Sequence, residues 1–242
     1  MYRETIIERS HTRIRLAISA SVKGELEDRD SFAYLDEVDV EAGVAAIEAG
    51  GELIWSVAAN LSVRACGDND HLEIMRNTLS IAERTGRPIL YGPRREPSDW
   101  PLAEQLKILR PGDVLTYCFH SDAESIVADG RIRESVWEAR ERGVLFDVGH
   151  GNMSFYWHLA VPAMEQGFPP DTISTDLHMG NIHGHVHSML DTMSKCMAMG
   201  RDFQEVIYRS TVTPARAIRH EELGTLSVGA EADIAVLHRH KG

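Results

Sequence analysis

The sequence predicts an α/β protein with a parallel sheet, and more narrowly an incomplete (β/α)8 barrel of TIM type. Three observations carry that expectation. Short apolar runs alternate with longer segments of helical spacing along most of the chain, and parallel strands need crossover helices. Neither a GxGxxG nor a P-loop motif follows any apolar run, which removes the main support for an open nucleotide-binding sheet. Polar residues stand instead at the C-terminal ends of several runs: Asn60, Tyr117 with His120, His150, and Asp176 with His178. Barrel enzymes keep their chemistry at those ends.

Taken in order, residues 13–20 (RIRLAISA) read as a first strand. Residues 40–49 have helical apolar spacing and stop at Gly50-Gly51, because glycine adopts the backbone geometry that ends a helix. Residues 53–59 (LIWSVAA) form a second strand, and 70–84 an amphipathic helix with Leu72, Met75, Leu79 and Ala82 on one face, closed by Gly86. A short third strand covers 88–91, and a helix at 101–109 precedes the Pro111-Gly112 turn. Strands at 114–119, 144–148 and 172–176 then alternate with helices at 132–142 and 155–166, and a last helix is expected at 188–199. Six strands do not close an eight-stranded barrel.

Composition narrows the function. At 242 residues the chain is long enough for one large core. Its net charge of −12 argues against nucleic acid as a partner, because a phosphate-binding face needs clustered Lys and Arg; only four lysines occur, Lys23, Lys107, Lys195 and Lys241. No run approaches the roughly 20 apolar residues of a membrane span. The opening segment MYRETIIERSHTRIRL is charged throughout and does not read as a signal peptide. A cytoplasmic protein acting on a small molecule is expected. Cys66, Cys118 and Cys196 are far apart, with no CxxC pair. Twelve histidines are many for this length.

Two stretches are specific: GVLFDVGHGNMSFYWHLAVPAMEQGFPPDTISTDLH at 143–178, and TVTPARAIRHEELGTLSVGAEADIAVL at 211–237. TPARAI, LGTLSVG and ADIAVL together resemble the tail of amidohydrolase-superfamily enzymes. FDVGHG and STDLH resemble their deacetylase-like and dihydroorotase-like branch. The resemblance runs in order from near residue 1 to residue 237. It implies that residues 1–10 are the helix after barrel strand 2, that the six strands are strands 3 to 8, and that a strand bearing a His-x-His pair precedes Met1. Residues 1–220 are then an incomplete barrel, and 221–242 hold the returning strand, 233–237, of a flanking β-sandwich. Strand edges left open at strands 3 and 8 favour a homo-oligomer.

The resemblance implies hydrolysis of a small amide, cyclic amide or ester by a water on one or two divalent ions, zinc foremost, with Asp176 as proton acceptor. It also exposes departures. The strand-4 lysine position falls on Ala58, the strand-5 histidine near Tyr91, and the strand-6 histidine near Tyr117. Tyrosine is not a usual zinc ligand. Asp176, His150 and His120 remain as candidate metal ligands, and His178, Tyr117, Asn60 and Arg94 as candidate substrate contacts. The His183-Gly-His-Val-His187 loop reads as a substrate or surface loop, with a replacement metal site as the alternative, and Arg94, Arg95, Asp99 and Trp100 as anion contacts or a solvated loop. The alternative is a catalytically degenerate barrel that binds a ligand or assembles, holding little or no metal itself.

Overall fold

The computed structural model describes residues 3–24, 31–32, 34–67, 69–96 and 100–239. The chain opens on one π-helical turn, Arg3–Ile7, where a helix over 1–10 is expected. Strand β1 (Leu16–Ser19) leads to helix α1 (Val40–Gly50), β2 (Ile54–Asn60), α2 (Val63–Cys66), α3 (His71–Thr85), β3 (Ile89–Gly92) and α4 (Leu102–Ile108). The order continues through β4 (Val114–Leu115), β5 (Val127–Ala128), β6 (Arg131–Ile132), α5 (Glu134–Glu141), β7 (Leu145–Phe146), α6 (Trp157–Glu165), α7 (Met189–Ala198), α8 (Phe203–Ser210) and α9 (Val212–Ala217).

Local chemistry sets the helix bounds. Asp39 caps α1 by accepting from the Ala42 amide, and Asp70 caps α3 by accepting from Leu72 and Glu73. α3 stops at Gly86 in the left-handed conformation. Gly43 brings α1 against α3, since a Cβ there would stand 2.7 Å from the Ile81 side chain.

The main sheet has the order β1-β2-β3-β4-β7, with every pair parallel. Residues 172–176 follow β7 on its outer side. They form a single parallel bridge, Asp147 to Thr172, rather than the predicted strand. The amides of Val148, His150 and Gly151 still donate to the carbonyls of Thr172, Ser174 and Thr175. Positive φ at Tyr117 (62°), Gly149 (47°) and Asp176 (48°) turns the backbone out of the ladder beyond β4, beyond β7 and at the end of residues 172–176. The result is a partial (β/α)8 barrel with the six predicted segments in parallel order.

Two further elements differ from the sequence reading. β5 and β6 form an antiparallel hairpin across Asp129-Gly130, both at positive φ, a turn that Asp-Gly favours. Helix α5 therefore begins at Glu134 rather than 132. Residues 233–237 form no strand among the described residues: Ile234 and Val236 are exposed, and Arg13 reaches Glu231 at 2.7 Å and Asp233 at 3.1 Å.

The core lies between sheet and helices. Phe146 and Phe168 are fully buried and meet edge to face at 5.1 Å, and the Arg140 guanidinium covers Phe168 at 3.5 Å.

A candidate active site at the mouth of the partial barrel

Strand ends place the site. Asn60 closes β2, Tyr117 lies two residues past β4, and Asp176 ends the segment beyond β7. With His178, Arg95 and Ser154 they line one cavity of about 400 Å³. A second, more apolar cavity of about 270 Å³ lies between the sheet and α9, lined by Trp55, Leu90, Val114 and Ile173. Tyr117 and Asp176 face both cavities.

The turn carrying Asp176 is held from three sides. Fully buried Asn181 donates from Nδ2 to the Asp176 carbonyl at 2.7 Å and accepts from the His178 amide at 2.9 Å. Gly151 backs onto the carboxylate, and a Cβ there would stand 2.5 Å from Asp176 Oδ2. The His178 ring accepts from the Gly180 amide at 3.0 Å. Left-handed backbone at non-glycine residues costs about 1–3 kcal/mol and gathers at functional sites. Tyr117 and Asp176 both fit that pattern. Asp176 itself is exposed at the rim, at the end of its segment.

The other candidates are placed differently. His150 is buried and stacked on Phe155 at 4.6 Å. Its Nδ1 meets the Gly151 carbonyl at 2.9 Å, and its Nε2 meets Lys195 Nζ at 2.7 Å. A carbonyl only accepts, so Nδ1 carries the proton and Nε2 accepts from the ammonium. Burial, reinforced by the Lys195 charge, holds this imidazole below its usual range. Both nitrogens are engaged, so His150 is not arranged as a metal ligand. His120 is buried outside the cavity lining, with Nδ1 3.3 Å from the Asp122 amide. Burial lowers its pKa as well.

Arg94 is also off the cavity. It is buried, donates to the Leu61 carbonyl at 3.3 Å and lies 3.6 Å from Glu96. Its neighbour Arg95 takes the lining position, 5.0 Å from the Tyr117 ring centre and 3.3 Å from Ser154 Oγ. Tyr91 faces the helices, its hydroxyl donating to Gln105 of α4 at 2.7 Å. His183, His185 and His187 are exposed. Asp99 lies outside the described residues.

Two groups absent from the sequence reading matter here. Asp147 is buried and accepts from Thr116 (2.8 Å), Thr172 (2.5 Å) and Ser174 (2.6 Å). Burial pushes its carboxyl up, and the three hydroxyls oppose that. An acid inside VLFDV was a visible signal, since a buried carboxylate needs partners. Lys195 is half-buried and its ammonium is pushed down by that burial. Nothing in the sequence spacing links it to His150.

Among the described residues, no three of His, Cys, Asp and Glu stand together as a metal site. The donor set therefore does not fit a divalent ion held by these residues.

A partial barrel whose strands end in a polar cavity defines a scaffold of the barrel-enzyme class. The amidohydrolase family profile matches residues 159–240. A deacetylase of Enterococcus faecalis is 31% identical over 86% of this chain and 57% of its own length. The crystal structure of an adenine deaminase superposes with a TM-score of 0.87 at 29% identity, covering 93% of this chain and 61% of that one. A dihydroorotase crystal structure gives 0.85 at 29% identity, covering 96% and 62%. Together these matches support a member of the amidohydrolase superfamily. It spans little more than half the length of the Enterococcus faecalis relative. No helix among the described residues is long and apolar enough to cross a membrane.

Proposed function

We propose that this chain carries part of a hydrolase acting on C–N bonds of a small amide or cyclic amide, with Asp176 as the proton acceptor. The observation that carries this reading is the mouth cavity, where Asp176 shares a wall with Tyr117, Asn60, His178 and Arg95. The deacetylase, deaminase and dihydroorotase names of its relatives support the bond class.

In this reading a water attacks the carbonyl carbon while Asp176 takes its proton. The same proton then passes to the leaving nitrogen as the C–N bond breaks. Asn60, Tyr117 and Arg95 offer donors that orient the carbonyl and the rest of the substrate. Divalent metals, zinc foremost, serve the superfamily, but among the described residues no three His, Cys, Asp or Glu side chains gather to hold one. The purified chain is therefore expected to retain little or no zinc after treatment with a chelator. A stoichiometric ion found by inductively coupled plasma mass spectrometry would overturn that expectation.

That same donor set favours a second reading, a barrel that binds small amides without turning them over. A panel of N-acetylated amines, cyclic amides and esters separates the two. Turnover that falls about 10²–10⁴-fold in Asp176→Asn supports the hydrolase. Turnover unchanged in that variant sinks the role of Asp176. Saturable binding with no turnover supports the second reading.

A further inference from the structure

The segment bearing Asp176 lies at the margin of the sheet with one regular bridge, Asp147 to Thr172. A margin segment so lightly laddered needs another constraint to hold a side chain in place. The Asp147 carboxylate supplies one. Its Oδ2 accepts from Thr116 at 2.8 Å and Ser174 at 2.6 Å, and its Oδ1 accepts from Thr172 at 2.5 Å. Thr116 immediately precedes Tyr117, and Thr172 and Ser174 stand four and two residues before Asp176. One buried group thus ties the backbone next to both left-handed residues of the mouth. Ser174 Oγ also accepts from the Gly149 amide at 3.0 Å. Gly149 in turn packs so tightly on Thr116 Oγ1 that a Cβ would overlap it.

We infer that Asp147 is a positioning residue: its carboxylate fixes Tyr117 and Asp176 relative to each other across the two strand ends that form the mouth. It lines the second, more apolar cavity beside Tyr117 and Asp176 but not the mouth cavity, and acts through the hydroxyls of Thr116, Thr172 and Ser174. Such positioning is worth much in rate, because a displacement of about 1 Å at a reacting group can cost on the order of 10²-fold. For its kinetic arm alone, the inference rests on the hydrolase reading above.

The test uses the whole chain, with Asp147→Asn, Thr116→Val and Ser174→Ala compared with wild type. Asn keeps the shape but loses one of the two acceptor oxygens, and the single-hydroxyl variants cut the clamp on one side each. Hydrogen exchange resolved by residue is expected to speed up about tenfold or more at Tyr117 and at 174–176 in Asp147→Asn, with β1 and β2 unchanged. Thr116→Val is expected to affect Tyr117 alone, and Ser174→Ala the Asp176 side alone. If wild type turns over an amide, kcat falls about 10–100-fold in Asp147→Asn with KM moving less than about threefold. Uniform acceleration across the sheet, or none at Tyr117 and 174–176, overturns the inference. A wild type without hydrolysis sinks the proposed function and leaves the exchange result to decide Asp147.

Discussion

At one margin of the sheet, β1 fronts a groove of about 470 Å³ shared with Val22 and with Ala42, Gly43 and Ala46 of α1. At the other, residues 171–176 are tied down by polar groups. Ile173 donates to the Arg209 carbonyl at 2.9 Å, Thr213 to the Asp171 carbonyl at 2.6 Å, and Arg140 reaches Asp171 at 3.1 Å. Asp147 adds its three hydroxyl contacts. The two margins have the same kind of backbone but different finishes. One uses hydrogen bonds to hold a chemical group in place; the other leaves small apolar side chains facing outward. An unfinished margin is where another chain adds most easily, and a finished one is where geometry can be kept.

The sharpest break of this contrast is in the core beneath the finished side. Phe146→Ala is expected to cost about 3–5 kcal/mol, and Ile18→Ala on half-buried β1 about 1–2 kcal/mol. Urea denaturation of both variants checks the order, and equal costs would mean the two margins are equally packed. Gly149→Ala follows, at about 2 kcal/mol, because the residue has positive φ and no space for a Cβ. A neutral result would show that Thr116 can step aside and that the clamp is loose.

Acid gives a smaller effect on the same side. His120 and His150 both titrate below the ordinary 6.5 when folded. The unfolded chain therefore binds more protons just below 6.5, and stability is lost as pH falls through 6.5 towards the lowered folded values. Denaturation midpoints between pH 5 and 7.5 should show this slope, reduced in His120→Gln. A flat profile would mean that both imidazoles protonate freely in place.

The smallest effect on stability belongs to the open margin. We propose that a second copy of the chain covers the β1 groove, and Ala46→Lys should then weaken self-association in sedimentation velocity. Stability should move by no more than about 0.5 kcal/mol. Unchanged association would place any contact elsewhere.

The six parallel segments were legible because apolar runs and Gly stops repeat at barrel spacing, and Asn60, Tyr117, Asp176 and His178 were legible because they end those runs. The choice between Arg94 and Arg95 was not. Adjacent residues in a loop differ only in where the backbone turns, and no period fixes that. His150 was read as a candidate metal ligand, and its partner Lys195, 45 residues away, lies beyond any sequence spacing. The Asp129-Gly130 turn carried a hairpin signal that was masked by the helical spacing beginning just after it.

Tyr117 and Asp176 share a left-handed backbone, and this has a consequence for how variants there should be chosen and read. At such a position Asn and Gly keep the local chain path, whereas Val, Ile and Thr oppose it by their branching at Cβ. A library covering position 176, scored once for cellular abundance and once for turnover, should therefore split in two. Asn and Gly variants should be abundant but inactive, reporting on the carboxylate. Branched variants should be scarce, reporting on the fold. Only the first group speaks to chemistry.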